Sequence, residues 1–177
     1  MRVLGVVAAA GCILLAGCGN AINTGPFGNG GGQTGECMSV PLGGVLSYGF
    51  VEFPNQGSAT AVITKIALAD AHGIRMLAAY IIPITGHDLY GVYSGYPPVA
   101  DLPPGVQWAR RQQADGARIP PLPPRSKPNI VSNILLVLRR TAAKGTARGV
   151  DVYYTESGQQ YHLRTNSTIT LVKSCGS

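Results

Sequence analysis

Charge is scarce in this 177-residue chain: Asp, Glu, Lys and Arg together make up 12% of it, and acidic residues number only 8. So few carboxylates leave little material for a glycosidase pair, and none stands in a suggestive context. The chain has three histidines, one tryptophan and four cysteines. It contains no Gly-x-Ser-x-Gly elbow, no His-Glu-x-x-His, no phosphate-binding glycine loop and no EF-hand loop. Those absences remove the common hydrolase, metalloprotease, nucleotide-binding and calcium-binding signatures. Cys-x-x-Cys is missing and no His lies beside Cys37 or Cys175, so no metal site and no cofactor are expected. Aromatic residues interleaved as in RNA-binding sheets are also lacking, which argues against a genetic nucleic-acid role. The one long apolar run, Val3 to Leu15, is followed at once by Gly, Asn and Thr. It falls short of the roughly 20 residues that span a bilayer core.

That run has a different reading. Arg2 supplies a positive start, Val3 to Leu15 an apolar stretch, and Leu15-Ala16-Gly17-Cys18 a small-residue cleavage site that ends on cysteine. The motif resembles the lipobox of bacterial lipoproteins. The resemblance implies diacylglyceryl transfer to the Cys18 sulfur, cleavage before it, and often acylation of the new amine by a fatty acid such as palmitate. It covers the first tenth of the chain. Residues 1–17 are then a signal peptide, residues 18–35 a lipidated cysteine with a flexible tether, and residues 36–177 one domain. The expected location is the outer face of the cell membrane, in the cell envelope. Gly19 stands where an acidic retention signal could sit, and ten Arg against four Lys suit a GC-rich Gram-positive host.

Cleavage would leave thirteen basic against eight acidic side chains. Between Gly19 and Gly35 only Ile22 and Phe27 are sizeable and apolar, too little surface to offset ordering the backbone. A coil of about 17 Gly-rich residues would reach roughly 20 to 25 Å. In an exported domain Cys37 and Cys175 are expected to pair, tying its first strand to its last.

From Val45 onward the apolar pattern has period two. Strands are expected over Val45 to Phe53, Thr60 to Leu68, Ile74 to Ile82, Asn133 to Arg140, Val150 to Thr155, Gln159 to Leu163 and Thr168 to Lys173. Pro54 to Gly57, Asp70 to Gly73 and Glu156 to Gly158 mark turns. The only helical candidate, Val106 to Ala114, is short. The pattern predicts an all-β fold, a two-layer antiparallel β-sandwich, immunoglobulin-like in the broad sense, with a long Pro-rich loop. Strand, Asn-x-Gly turn, strand, Pro-rich loop and a closing Tyr-containing hairpin resemble uncharacterised secreted proteins of high-GC Gram-positive bacteria, a resemblance that carries no functional residues.

Thr85 to Lys127 is that loop, with eight of thirteen prolines and the only tryptophan. Long connections are often functional. Tyr90, Tyr93 and Tyr96 recur every third residue, and with Trp108 they are candidate ligand-binding rings, or else fold inward over the end of the sandwich. Pro120 to Pro124 reads as a stiff connector. Basic residues gather here and beyond, so Arg110, Arg111, Arg139 and Arg140 are candidates for holding an anionic envelope polymer or lipid. The function expected is a membrane-anchored envelope lipoprotein presenting a binding or interaction module, whose partner is that anion or an envelope protein. The alternative is an envelope hydrolase using His87 and Asp88, although nothing marks a nucleophile.

Overall fold

In the computed structural model, residues 23–28, 35–85, 90–97, 102–122 and 130–176 are described. The expected signal peptide, Cys18, and His87 with Asp88 lie outside them. Twelve strands form among the described residues, with two single 3-10 turns at Gly25–Phe27 and Trp108–Arg110. No helix among them is long and apolar enough to cross a membrane.

The expected two-layer, largely antiparallel sandwich is what these strands build. One layer is a five-stranded sheet in the order β5-β2-β8-β4-β6, made by Val92–Ser94, Val45–Phe53, Ile130–Arg140, Ile74–Thr85 and Gln112–Gln113. The other layer is split between two sheets. A four-stranded sheet runs β11-β10-β3-β7, from Gln159–Arg164, Val150–Glu156, Ala61–Leu68 and Arg118–Ile119. A three-stranded sheet runs β1-β12-β9, from Gly35–Ser39, Thr168–Val172 and Gly145–Ala147. Alternation decides which side chains meet. Ile134, Leu136 and Leu138 of β8 point inward against Ile63, Val152, Tyr154 and Leu171 of the opposite layer, all within one core. Asp151 and Tyr153 fall on the other side of β10, as its pattern requires.

Two departures from the sequence reading have local causes. Strand β4 runs through Pro83 to Thr85, whereas a proline was expected to end it. The Pro83 carbonyl accepts from the Gln107 amide, so its nitrogen also faces away from β8, and the missing N–H is not asked of that ladder. Strands β1 and β12 pair in parallel, Cys37 beside Thr170. The Cys37–Cys175 disulfide ties β1 to the residues just past β12, with Cα atoms 6.0 Å apart and a sequence separation of 138. In the chain-entropy view a loop that long is worth on the order of 5 kcal/mol, an upper figure.

The expected tether does not hold over its described part. Asn23 to Gly28 lies along the sandwich, because Phe27 is buried between Phe53 and Tyr154, with ring centroids at 4.7 and 3.9 Å. One large ring supplies the apolar surface that the glycines around it lack.

Candidate functional site

The four candidate aromatic residues do come together, but they cover a sheet face, not the end of the sandwich. Tyr80, Ile82, Ile84 and Leu135 project from the outer side of the five-stranded sheet, and Tyr90, Tyr93, Tyr96, Leu102, Val106 and Trp108 close over them. Tyr90 packs edge-on against Tyr93 at 5.0 Å and stacks with Trp108 at 6.2 Å; Tyr96 stacks on Tyr80 at 5.5 Å. Tyr90 is fully buried, and the other three are half-buried. They therefore form a second small core and not an exposed stacking platform. Burial pushes the Tyr90 hydroxyl well above the ordinary phenol value, as it does that of Tyr96, where the hydrogen bond to Tyr80 adds to burial and Arg111 opposes both.

Gly49 makes this cover possible. A Cβ there would run into the ring and carbonyl of Tyr90, so β2 needs a residue with no side chain where the loop lands on it. Next to it Asn133 donates to the carbonyls of Gly49 and Val51 at 2.5 and 2.9 Å, holding the bulge where the β2–β8 register shifts. The loop is pinned further along by bonds between Thr85 and Gly105 and between Gln107 and Pro83.

The four candidate arginines separate into three environments. Arg111 lies over the Trp108 ring at 4.6 Å and donates to the Trp108 carbonyl, an exposed cation on the rim of the aromatic cluster. Arg110 beside it bonds the Gln107 side chain at 2.7 Å. Arg139 is exposed at the far end of β8, opposite Arg75. Arg140 is not a surface residue at all. It is 4% exposed and donates to three main-chain carbonyls, those of Ala142, Val40 and Ala143. Alternation along β8 turns it to the inner side, where it is committed to structure.

Arg110 has another partner that the sequence did not reveal. After β6 the chain crosses from the five-stranded to the four-stranded layer, fastened by Ala114 to Ala79 and Gly116 to Ile63. The crossing leaves a cavity of about 330 Å³ at the sandwich edge. Its walls are Ile81 and Pro83 of β4, Ile119 of β7, and Pro120 with Pro121. Arg110, Arg118, Gln112 and Ser132 supply its polar groups, and among the described residues no carboxylate lines it. The stiff Pro120-Pro121 connector is thus a wall, and its position is set by Leu122 donating to Asn55 and by Asn55 donating to Ile119. An apolar trough with two guanidinium groups suits a ligand with an apolar body and an anionic end.

No protein-family model matches this chain, and no curated protein matches it. Among solved structures there is a distant likeness to the ASH/PapD-like domain of human CEP192 (PapD-like domain 7). It is 11% identical, the match covers 100% of this chain and 99% of that one, and the TM-score is 0.36.

Polar chemistry elsewhere is structural or open. Asp151, on the outer face of the four-stranded sheet, receives the Arg164 guanidinium at 2.7 and 2.9 Å and the His162 ring at 2.8 Å. Burial alone would raise its carboxyl; the hydrogen bonds and charges of Arg164 and His162 outweigh that and hold it below the ordinary carboxylate range. His162 also stacks on Tyr153 at 4.3 Å. His72 is exposed in a polar hollow with Asp70, Lys144 and Arg148, where, among the described residues, threonines supply the hydroxyls. Among the described residues no three His, Cys, Asp or Glu side chains converge to hold a metal ion.

Proposed function

We propose that this chain is an exported lipoprotein, anchored by lipid on Cys18 to the outer face of the cell membrane, whose β-sandwich binds an anionic, partly apolar envelope ligand. The observation that carries the binding site is the edge cavity, where Arg110 and Arg118 line one space with Ile81, Pro83, Ile119 and two prolines. Two cations, with no carboxylate among the described residues of the lining, favour an anion, and the apolar walls favour a ligand that brings hydrocarbon with it. The excess of basic over acidic side chains fits the same chemistry. The Cys37–Cys175 disulfide supports export, since such bonds persist in oxidising compartments. The Leu15-Ala16-Gly17-Cys18 motif supports the anchor.

The site is tested with decyl phosphate against decanol, on the mature Cys18→Ser chain so that no acyl group competes. The signal is the fluorescence of the single Trp108, which stands two residues from Arg110. Decyl phosphate is expected to bind at least about tenfold more tightly than decanol, and to weaken as salt screens the arginines. Arg118→Ala is expected to cost about tenfold, roughly the worth of one charge-assisted hydrogen bond. Equal binding of the two amphiphiles, or no response to Arg118→Ala, would overturn the assignment.

A further inference from the structure

We infer that Asn23 to Gly28 is a short leash. Resting on the lipid-anchored reading above, it makes the β11 edge and the outer face of the four-stranded sheet the surface that lies against acidic lipid head groups. Composition alone describes a coil of 17 residues that would let the domain turn freely. The structure fixes six of those residues to the sandwich. Phe27 is 1% exposed and stacked on Tyr154. The Tyr154 hydroxyl donates to the Thr24 carbonyl and accepts from the Phe27 amide at 3.2 Å. Gln56 donates to Pro26 at 3.0 Å, and the His162 amide of β11 donates to Asn23 at 3.1 Å. Gly25 has φ +54°, and a Cβ there would collide with the Tyr161 ring and the Tyr154 hydroxyl. Glycine is what lets the strap lie flat on those rings.

The strap therefore leaves the fold beside His162, on the edge strand of its sheet. Only Gly19 to Ile22 separate that exit from Cys18. Five peptide steps, fully extended, span at most about 18 Å. The β11 edge thus stays within that distance of the lipid, while the edge cavity beside β7 sits three strand spacings away, about 14 Å, at the opposite margin of the sheet. The face between them carries Lys65, Arg164 and His162, with Tyr153 among them, and Arg118 stands at its β7 margin, where it also lines the cavity. Its carboxylate, Asp151, is engaged by Arg164 and His162, and Asp70 stands near Arg164. Of these, Lys65, Arg118 and Arg164 stand against Asp151 and Asp70, one cation in excess, the sign an acidic leaflet attracts.

The test uses the full acylated chain in vesicles of seven parts phosphatidylcholine to three parts phosphatidylglycerol, its acyl groups first confirmed by intact mass. A fluorophore is placed at Gln160→Cys in β11 or at Gln113→Cys in β6, both exposed positions, and quenched by head-group nitroxide lipid. Quenching is expected to be at least about threefold stronger at position 160. Inserting ten Gly-Ser residues between Ile22 and Asn23 lengthens the leash without touching the strap, and should bring the two positions together. Equal quenching in the acylated parent, or no change on insertion, overturns the leash alone. A chain that carries no acyl mass overturns the anchor itself, and the leash with it.

Discussion

Arg140→Ala is expected to lower the unfolding free energy by about 3 to 5 kcal/mol, the largest loss for any single surface-type residue in this fold. The guanidinium is buried with all of its bonds to backbone: Ala142 at 2.8 Å, Val40 at 2.5 Å, and Ala143. Those carbonyls belong to the segment leaving β1 and the turn entering β9, so one side chain at the end of β8 joins the three-stranded sheet to the five-stranded one. Truncation strands the acceptors and empties their space; hydrogen bonds to a charged donor are worth about 1.5 to 3 kcal/mol each and are not additive. Arg140→Lys should recover only part, because an ammonium cannot present the planar fork. Arg139→Ala, one residue away and exposed, should stay within about 0.5 kcal/mol. Urea unfolding measures all three, read as a shift of midpoint at constant slope. A loss under 1 kcal/mol for Arg140→Ala would contradict the structural role.

Phe27→Ala is the second large effect, expected at about 3 to 5 kcal/mol, in the range of buried aromatic truncations. The ring fills the space between Phe53 and Tyr154 at the end of the sandwich, and it also holds the strap whose Thr24 carbonyl takes the Tyr154 hydroxyl. Burial pushes that hydroxyl up to about 12, so it stays protonated and able to donate through the physiological range. Loss of the ring should therefore release Asn23 to Gly28, and limited proteolysis before β1 should follow. Phe27→Leu, which keeps much of the apolar volume, should cost distinctly less. Wild-type stability in Phe27→Ala would show that the segment is a tether after all.

The strands that could be read from the sequence are those long enough to show alternation. Val45 to Phe53 has the expected limits, and Val150 to Thr155 and Gln159 to Leu163 each run one residue further. Strands of two or three residues, such as Gly145–Ala147 and Val92–Ser94, have no period to detect and exist because longer neighbours offer them a ladder. The same alternation, carried one step on from Ile134, Leu136 and Leu138, places Arg140 inward and Arg139 outward; counting both as surface charge missed it. The clustering of Tyr90, Tyr93, Tyr96 and Trp108 was legible from their spacing and composition. Their direction was not, since it depends on Leu135 and Ile82, from strands distant in sequence. Gly49, inside a strand rich in β-branched and aromatic residues, was the available sign that something lands there. Phe27 gave none, because a lone ring among glycines looks the same docked or free. The edge cavity arises only when β6 and β7 join different layers, which no local pattern encodes.

The proposed anchoring of this sandwich to a membrane through Cys18 is tested most directly by the intact mass of the chain recovered from its host's membranes. The account predicts a polypeptide beginning at Cys18, heavier than its sequence by a diacylglyceryl group, with or without a third acyl chain, and lighter by two hydrogens for the Cys37–Cys175 bridge. Cys18→Ser is expected to abolish the added mass while the domain still folds. A chain that still begins at Met1, or one that begins at Cys18 without lipid, would contradict it.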